Sequence, residues 1–188
     1  EDAAFEMQQA AAARLTDAGF RQYEVSAWAR PGHECRHNLN YWRYGDYLGI
    51  GAGAHGKLTD GHAGTIVRTA KSKQPRDYLE RAGTGGPFGT VEPIPPQERP
   101  FEFMLNALRL ADGFELGWFE SRTGLAAATV RRALDRLAGR GLMAVGDGGR
   151  WRPTPLGARF LNDLQAAFLP TSSRSSRAGA NPAAQCPT

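Results

Sequence analysis

The sequence predicts an α/β chain: a piece of an α/β sheet or barrel, followed by a small winged-helix-like α+β domain. Three observations carry this. An Ala-rich helical stretch leads into short β-like runs before residue 70, and Gly and Pro concentrate from residue 83 onward. After that boundary, three helix-like segments precede a hairpin and a last helix. The expected organisation is a first domain over 1–82, a linker over 83–96, a winged-helix-like domain over 97–169 and a disordered tail over 170–188. The tail is rich in Ser, Ala, Pro and Arg and too poor in apolar residues to fold.

Each element has a local reason. Residues 3–18 are Ala-rich with apolar positions at helical spacing and end at Gly19, a natural C-cap. Residues 20–28 alternate, with Tyr23, Val25 and Ala27 on one face, and Pro31-Gly32 breaks the run, which suits a strand. Residues 47–50 read as another strand, Lys57 to Gly64 as a turn-rich stretch, and 65–69 as a short strand. Beyond the linker, 98–110 reads as a helix stopped near Gly113, and 118–123 as a shorter one. Residues 129–138 place Val130, Leu134 and Leu137 on one helical face. Residues 142–145 and 151–153 form a hairpin closed by Asp147-Gly148-Gly149, and 156–168 supplies the last helix.

Composition narrows the class. With 188 residues and 41% hydrophobic content the chain can bury one or two cores. No run of about twenty apolar residues occurs, so a membrane span is not expected, and no signal peptide opens the chain. Two cysteines far apart, Cys35 and Cys186, fit a reducing compartment, and the expected location is the cytoplasm. A net charge of +4 permits anionic partners without demanding them.

The chemistry concentrates in His37-Asn38-Leu39-Asn40-Tyr41-Trp42, preceded by Arg30-Pro31-Gly32-His33-Glu34-Cys35-Arg36. An iron porphyrin needs an axial imidazole, aromatic cover for its face and guanidiniums for its propionates, and this stretch holds all three residue types. If the segment is helical, Tyr41 projects from the same face as His37 four residues earlier. The haem-binding candidates are therefore His37, Tyr41 and Trp42, with His37 as the candidate ligand to haem iron. His33, Cys35 and His37 would share a face of a strand and suit zinc, but no fourth ligand is evident nearby.

Gly51-Ala52-Gly53-Ala54-His55-Gly56 spells G-x-G-x-x-G, yet a turn-rich stretch follows, with no helix start and no placed acidic residue. It does not read as a dinucleotide site. Small residues at the end of a strand instead let a ligand approach the backbone closely. Residues 123–134 look like the turn and second helix of a helix-turn-helix regulator. Arg131, Arg132, Arg136, Arg140, Arg150 and Arg152 are then candidates for phosphate contacts, which makes DNA binding the rival reading. Glu24 and Asp46 are single carboxylates without a visible partner, and no hydrolytic set is expected.

Residues 23–26, 30–42 and 47–56 together resemble the C-terminal half of the oxygen-independent coproporphyrinogen III oxidase-like proteins, a radical S-adenosylmethionine (SAM) family. More narrowly they resemble its haem chaperone branch, marked by a His-Asn-x-x-Tyr-Trp motif that His37 to Trp42 match letter for letter. The resemblance runs from about Phe5 to Leu169. It implies the C-terminal portion of an incomplete radical SAM barrel over 1–82, haem bound through the motif histidine, and SAM approaching Gly51, Gly53 and His55. A 4Fe-4S cluster and SAM belong, on this reading, to the full-length parent only. Such a cluster needs three closely spaced thiolates, and the two cysteines here cannot supply them. Opening at Glu1 without an initiator Met, the chain reads as a fragment whose N-terminal half lies elsewhere, with no catalytic residue of its own. The implied partners are haem and respiratory haem enzymes as recipients. Nucleic acid is disfavoured, and peripheral membrane contact remains open. The alternative function is the oxidase itself, acting in porphyrin biosynthesis.

Overall fold

A computed structural model of the chain describes residues 2–82, 84 and 89–170. The first helix, α1 (Asp2–Asp17), ends as expected: Gly19 has φ 81° and its N–H donates to Thr16 O. The expected strand over 20–28 is instead a hairpin of β1 (Arg21–Glu24) and β2 (Ala27–Ala29), antiparallel, with Glu24 turning the chain by accepting from Ser26 N–H and Oγ. Gln22 and Glu24 flank an irregularity in the register, which lets the two short strands close without a glycine.

The histidine-rich segment is helical. In α2 (Arg36–Trp42) there is no β-branched residue to resist the helix, and the C-terminus closes in a Schellman arrangement. Gly45 N–H donates to Asn40 O at 2.8 Å and Tyr44 N–H to Tyr41 O at 3.0 Å. The left-handed position in that motif belongs to Tyr44, φ 57°, where glycine would be less strained. Burial of the Tyr44 ring in the core offsets the cost. Gly45 is required for a different reason: a Cβ there would lie 2.1 Å from Asn40 Oδ1. Because residues 36–42 are helical, the alternation of His33, Cys35 and His37 that a zinc face would need does not exist.

The stretch after the motif departs most from expectation. Tyr47 forms only an isolated bridge to Lys57, so 47–50 is not a strand. Conversely, part of the turn-rich stretch is β3 (His55–Asp60), paired antiparallel with β4 (Thr65–Lys71) across a tight turn whose Asp60 carboxylate accepts from His62 and Ala63 N–H. After α3 (Pro75–Arg81), started by proline at its first turn, β5 (Gly89–Pro93) adds to β4. The expected linker 83–96 therefore contributes a sheet strand, and Ile94 behind it is buried with its N–H donated to Ile66 O.

The C-terminal elements are α4 (Arg99–Ala107), α5 (Leu116–Thr123), α6 (Ala128–Gly139), the hairpin β6 (Met143–Val145) and β7 (Trp151–Pro153), then α7 (Pro155–Arg159) and α8 (Leu161–Ala166). The single helix expected over 156–168 breaks at Phe160, φ −113° and ψ 38°. Val130, Leu134 and Leu137 are buried on one face of α6, as their spacing predicts. Phe103 is the centre of the core, with the rings of Phe119, Phe114 and Tyr44 at 5.3, 5.4 and 5.8 Å in edge-on geometry. The same buried cluster takes in Ile66 and Ile94, so one core joins the sheet to the helices. No helix among the described residues is long and apolar enough to cross a membrane. The tail from 171, with Cys186, lies outside the described residues.

Candidate functional site

Helix α2 is tied down through Asn38, Asn40 and Trp42. Asn38 Nδ2 donates to the Tyr23 hydroxyl at 3.1 Å, fixing the helix to β1, and Asn40 Nδ2 donates to Asp46 O at 2.9 Å, fixing the loop that follows. Trp42 is half-buried, and the Arg109 guanidinium stacks on its ring at 4.3 Å. Arg109 in turn donates to Glu24 at 3.2 Å and to Ser26 Oγ at 3.3 Å. His37 is exposed, and Tyr41, one helical turn on along the same face, is half-buried. The structure thus keeps His37 and Tyr41 together and turns the Trp42 indole toward Arg109.

Behind that face lies a polar belt. Tyr41 packs its ring on Trp42 at 4.9 Å and on Tyr47 at 5.0 Å. Burial, with the neighbouring Tyr41 phenol, pushes Tyr47 up to about 12. Burial raises Tyr44 further, and its hydroxyl finds no hydrogen-bond partner. Lys57 reaches under the Tyr44 ring, its Nζ 4.3 Å from the centroid and 2.7 Å from Asp46 Oδ1. Burial opposes the Asp46 carboxylate, but hydrogen bonds from Lys57 and Thr59 outweigh it and hold its pKa below the ordinary carboxylate range. Burial holds Lys57 below the ordinary lysine range, with Asp46 opposing. Glu24 and Asp46, expected to stand alone, are therefore both paired, with Arg109 and Lys57. Their partners are far along the chain or on a neighbouring strand, which a one-dimensional pattern does not reveal.

The glycine run is a loop, not a phosphate cradle. Gly51 and Gly53 have φ 103° and 71°, and β3, not a helix, begins at His55. Gly53 N–H donates to Ser72 O, which closes the loop on the end of β4. Within the run, Gly56 is the sterically demanding position: a Cβ there would lie 2.6 Å from Thr69 Oγ1 and 3.1 Å from Tyr47 O. His55 is exposed at the start of β3, paired with Ala70. The helix-turn-helix arginines are partly engaged: Arg131 pairs with Asp135 at 3.3 Å and stacks on Trp151, and Arg150 donates to Gly113 O. No group of three or more potential metal-ligating side chains gathers among the described residues.

Comparison with known proteins adds three findings. Residues 94–160 match the HemN C-terminal domain. The chain is similar to the "Heme chaperone HemW" of Haemophilus influenzae, 43% identical, and of Escherichia coli, 41% identical, in each case over 82% of this chain and 39% of the relative. The chain thus spans about two fifths of the length of the curated relatives it matches. A solved structure of the radical SAM enzyme coproporphyrinogen III oxidase, HemN, from Escherichia coli superposes with a TM-score of 0.58 at 18% identity, over 89% of this chain and 41% of that one. At that identity the likeness is one of fold.

Proposed function

Because the chain belongs to the HemW-like branch of the HemN-related radical SAM family, we propose that it binds haem as cargo, with His37 as the axial ligand and Tyr41 beside the macrocycle. The observation that carries this is the exposed His37 one helical turn before the half-buried Tyr41 ring, on a helix anchored through Asn38, Asn40 and Trp42. A neutral imidazole on a held helix can meet iron without the helix having to form at that moment, and the flat phenol one turn away can lie along the porphyrin. Trp42 acts through Arg109, as an anchor for the helix, and contributes to haem binding by positioning.

The finer fold belongs to the same proposal. Residues 2–82 extend the radical SAM barrel of the parent protein, with Gly51, Gly53 and His55 at the edge facing SAM. Helices α5 and α6 with the β6–β7 hairpin form a winged-helix-like cap. The residues present do not fit the 4Fe-4S cluster, which needs three closely spaced thiolates, so cluster and SAM chemistry lie with the rest of the parent. Recipients of the haem are respiratory enzymes, met in the cytoplasm or at the membrane surface.

Haem titration of the chain followed by its Soret band tests the assignment. His37→Ala is expected to weaken binding at least tenfold, and Tyr41→Phe by less. Equal affinity in His37→Ala and the parent chain removes His37 as the ligand.

A further inference from the structure

The side of α2 away from His37 opens onto a second feature, which the haem reading does not use. Leu39 lies two residues from His37, roughly 160° round a helix of 3.6 residues per turn. It lines a cavity of about 220 Å³ together with Tyr23, Glu34, Arg43, Asp112 and Arg150. This is smaller than the roughly 300–1,000 Å³ of pockets that enclose drug-sized ligands, so a small metabolite fits and a porphyrin does not.

Its charge pattern is specific. Two guanidiniums and two carboxylates line the cavity, yet the ion pairs among the described residues involve other groups and leave these four apart. The two arginines are held in place by a shared aromatic: Arg43 lies 5.1 Å and Arg150 4.7 Å from the Trp118 ring. Arg150 spends one N–H on Gly113 O, while its Nε is buried without any partner. A buried guanidinium donor left unpaired beside a cavity is an unmet demand for an acceptor. A simple anion would satisfy the arginines and be repelled by Glu34 and Asp112, and a simple cation would meet the reverse.

We propose that this cavity binds a small zwitterion of the α-amino-acid class, its carboxylate held by Arg43 and Arg150, its ammonium by Glu34 and Asp112, and its side chain against Leu39 and Tyr23. Arg43 and Arg150 supply the planar forks that carboxylates accept. The ligand would bridge the motif helix and the C-terminal domain, since Arg43 follows α2 and Arg150 precedes β7. The site does not depend on haem binding, which uses the opposite face.

Calorimetric titration of the full chain tests it with L-leucine, glycine, 4-methylpentanoate and 3-methylbutylamine, the last two being leucine without its ammonium and without its carboxylate. Saturable binding of an amino acid is expected, at least tenfold tighter than either half-ligand. Arg150→Gln and Asp112→Asn are each expected to weaken it at least tenfold and to leave the Soret titration unchanged. Binding of neither amino acid, or equal binding of 4-methylpentanoate and L-leucine, overturns the proposal. So does unchanged amino-acid affinity in the variants. Asp112 is exposed, and Asp112→Asn decides alone if circular dichroism shows that Arg150→Gln misfolds.

Discussion

Lys57 is almost wholly enclosed, its side chain 4% exposed, and its charge is matched by a single carboxylate, Asp46, that is itself 38% exposed. A buried ammonium deprived of its partner costs several kcal/mol, whereas a partner reachable by water is worth less than a fully buried one. Asp46→Ala is therefore expected to cost about 2 kcal/mol, between those limits. The pH dependence has a defined sign. The folded carboxyl has a pKa below its unfolded value of about 3.9, so its contribution is complete above that pH and disappears as pH falls through the folded value. Urea unfolding at pH 7 and in the pH 2–4 range checks this: the gap between the parent chain and Asp46→Asn should narrow in acid. A gap of constant size would mean that the charge on Asp46 stabilises nothing.

At the scale of elements, sequence was informative where a pattern is local and uninformative where the partner is distant. Helices α1, α4 and α6 and the β6–β7 hairpin follow from spacing and turn residues within their own spans. The proposed haem-binding face also follows from spacing alone, since His37 and Tyr41 share it for any helix through 36–42. Strand β5 has no buried residue and pairs with β4 across α3, so no alternation marks it. Helix α3 likewise buries nothing and has no apolar stripe to find. The Trp42 anchor depends on Arg109, and Arg109 on Glu24, 85 residues away in the chain. Two glycines in helices give opposite expectations for one substitution. In α7, a Cβ on Gly157 would lie 1.9 Å from the Leu142 carbonyl oxygen, itself bonded to Thr154 N–H. Gly157→Ala should cost about 2 kcal/mol through that overlap, despite the better helix propensity of alanine. Gly139, at the end of α6, has open space where its Cβ would go. Gly139→Ala should stabilise by up to about 1 kcal/mol. Thermal unfolding of the two variants reads both signs, and a loss of stability in each would show that the space around Gly139 is not open.

Across the whole molecule, polar contacts add to the shared apolar core in fixing the sheet against the helices, and Arg99 is placed to make them. Its side chain is buried and donates to three backbone carbonyls in separate places: Gly64 in the β3–β4 turn at 2.9 Å, Ile94 after β5 at 3.3 Å, and Thr123 at the end of α5 at 2.8 Å. Helix carbonyls near a C-terminus lack intrahelical partners, and a cation there also complements the helix dipole. Leucine or methionine would fill the volume of the stem but leave three acceptors to be resatisfied by water or by shifts of the chain. Arg99→Met is thus expected to cost about 3 kcal/mol. The loss should be distributed. Amide exchange should quicken together in the β3–β4 turn and at the α5–α6 junction, although these segments are separated by some sixty residues of chain. Faster exchange confined to one of the two would mean that Arg99 braces that segment alone, and that the Ile66–Ile94–Phe103 core by itself holds the sheet on the helices.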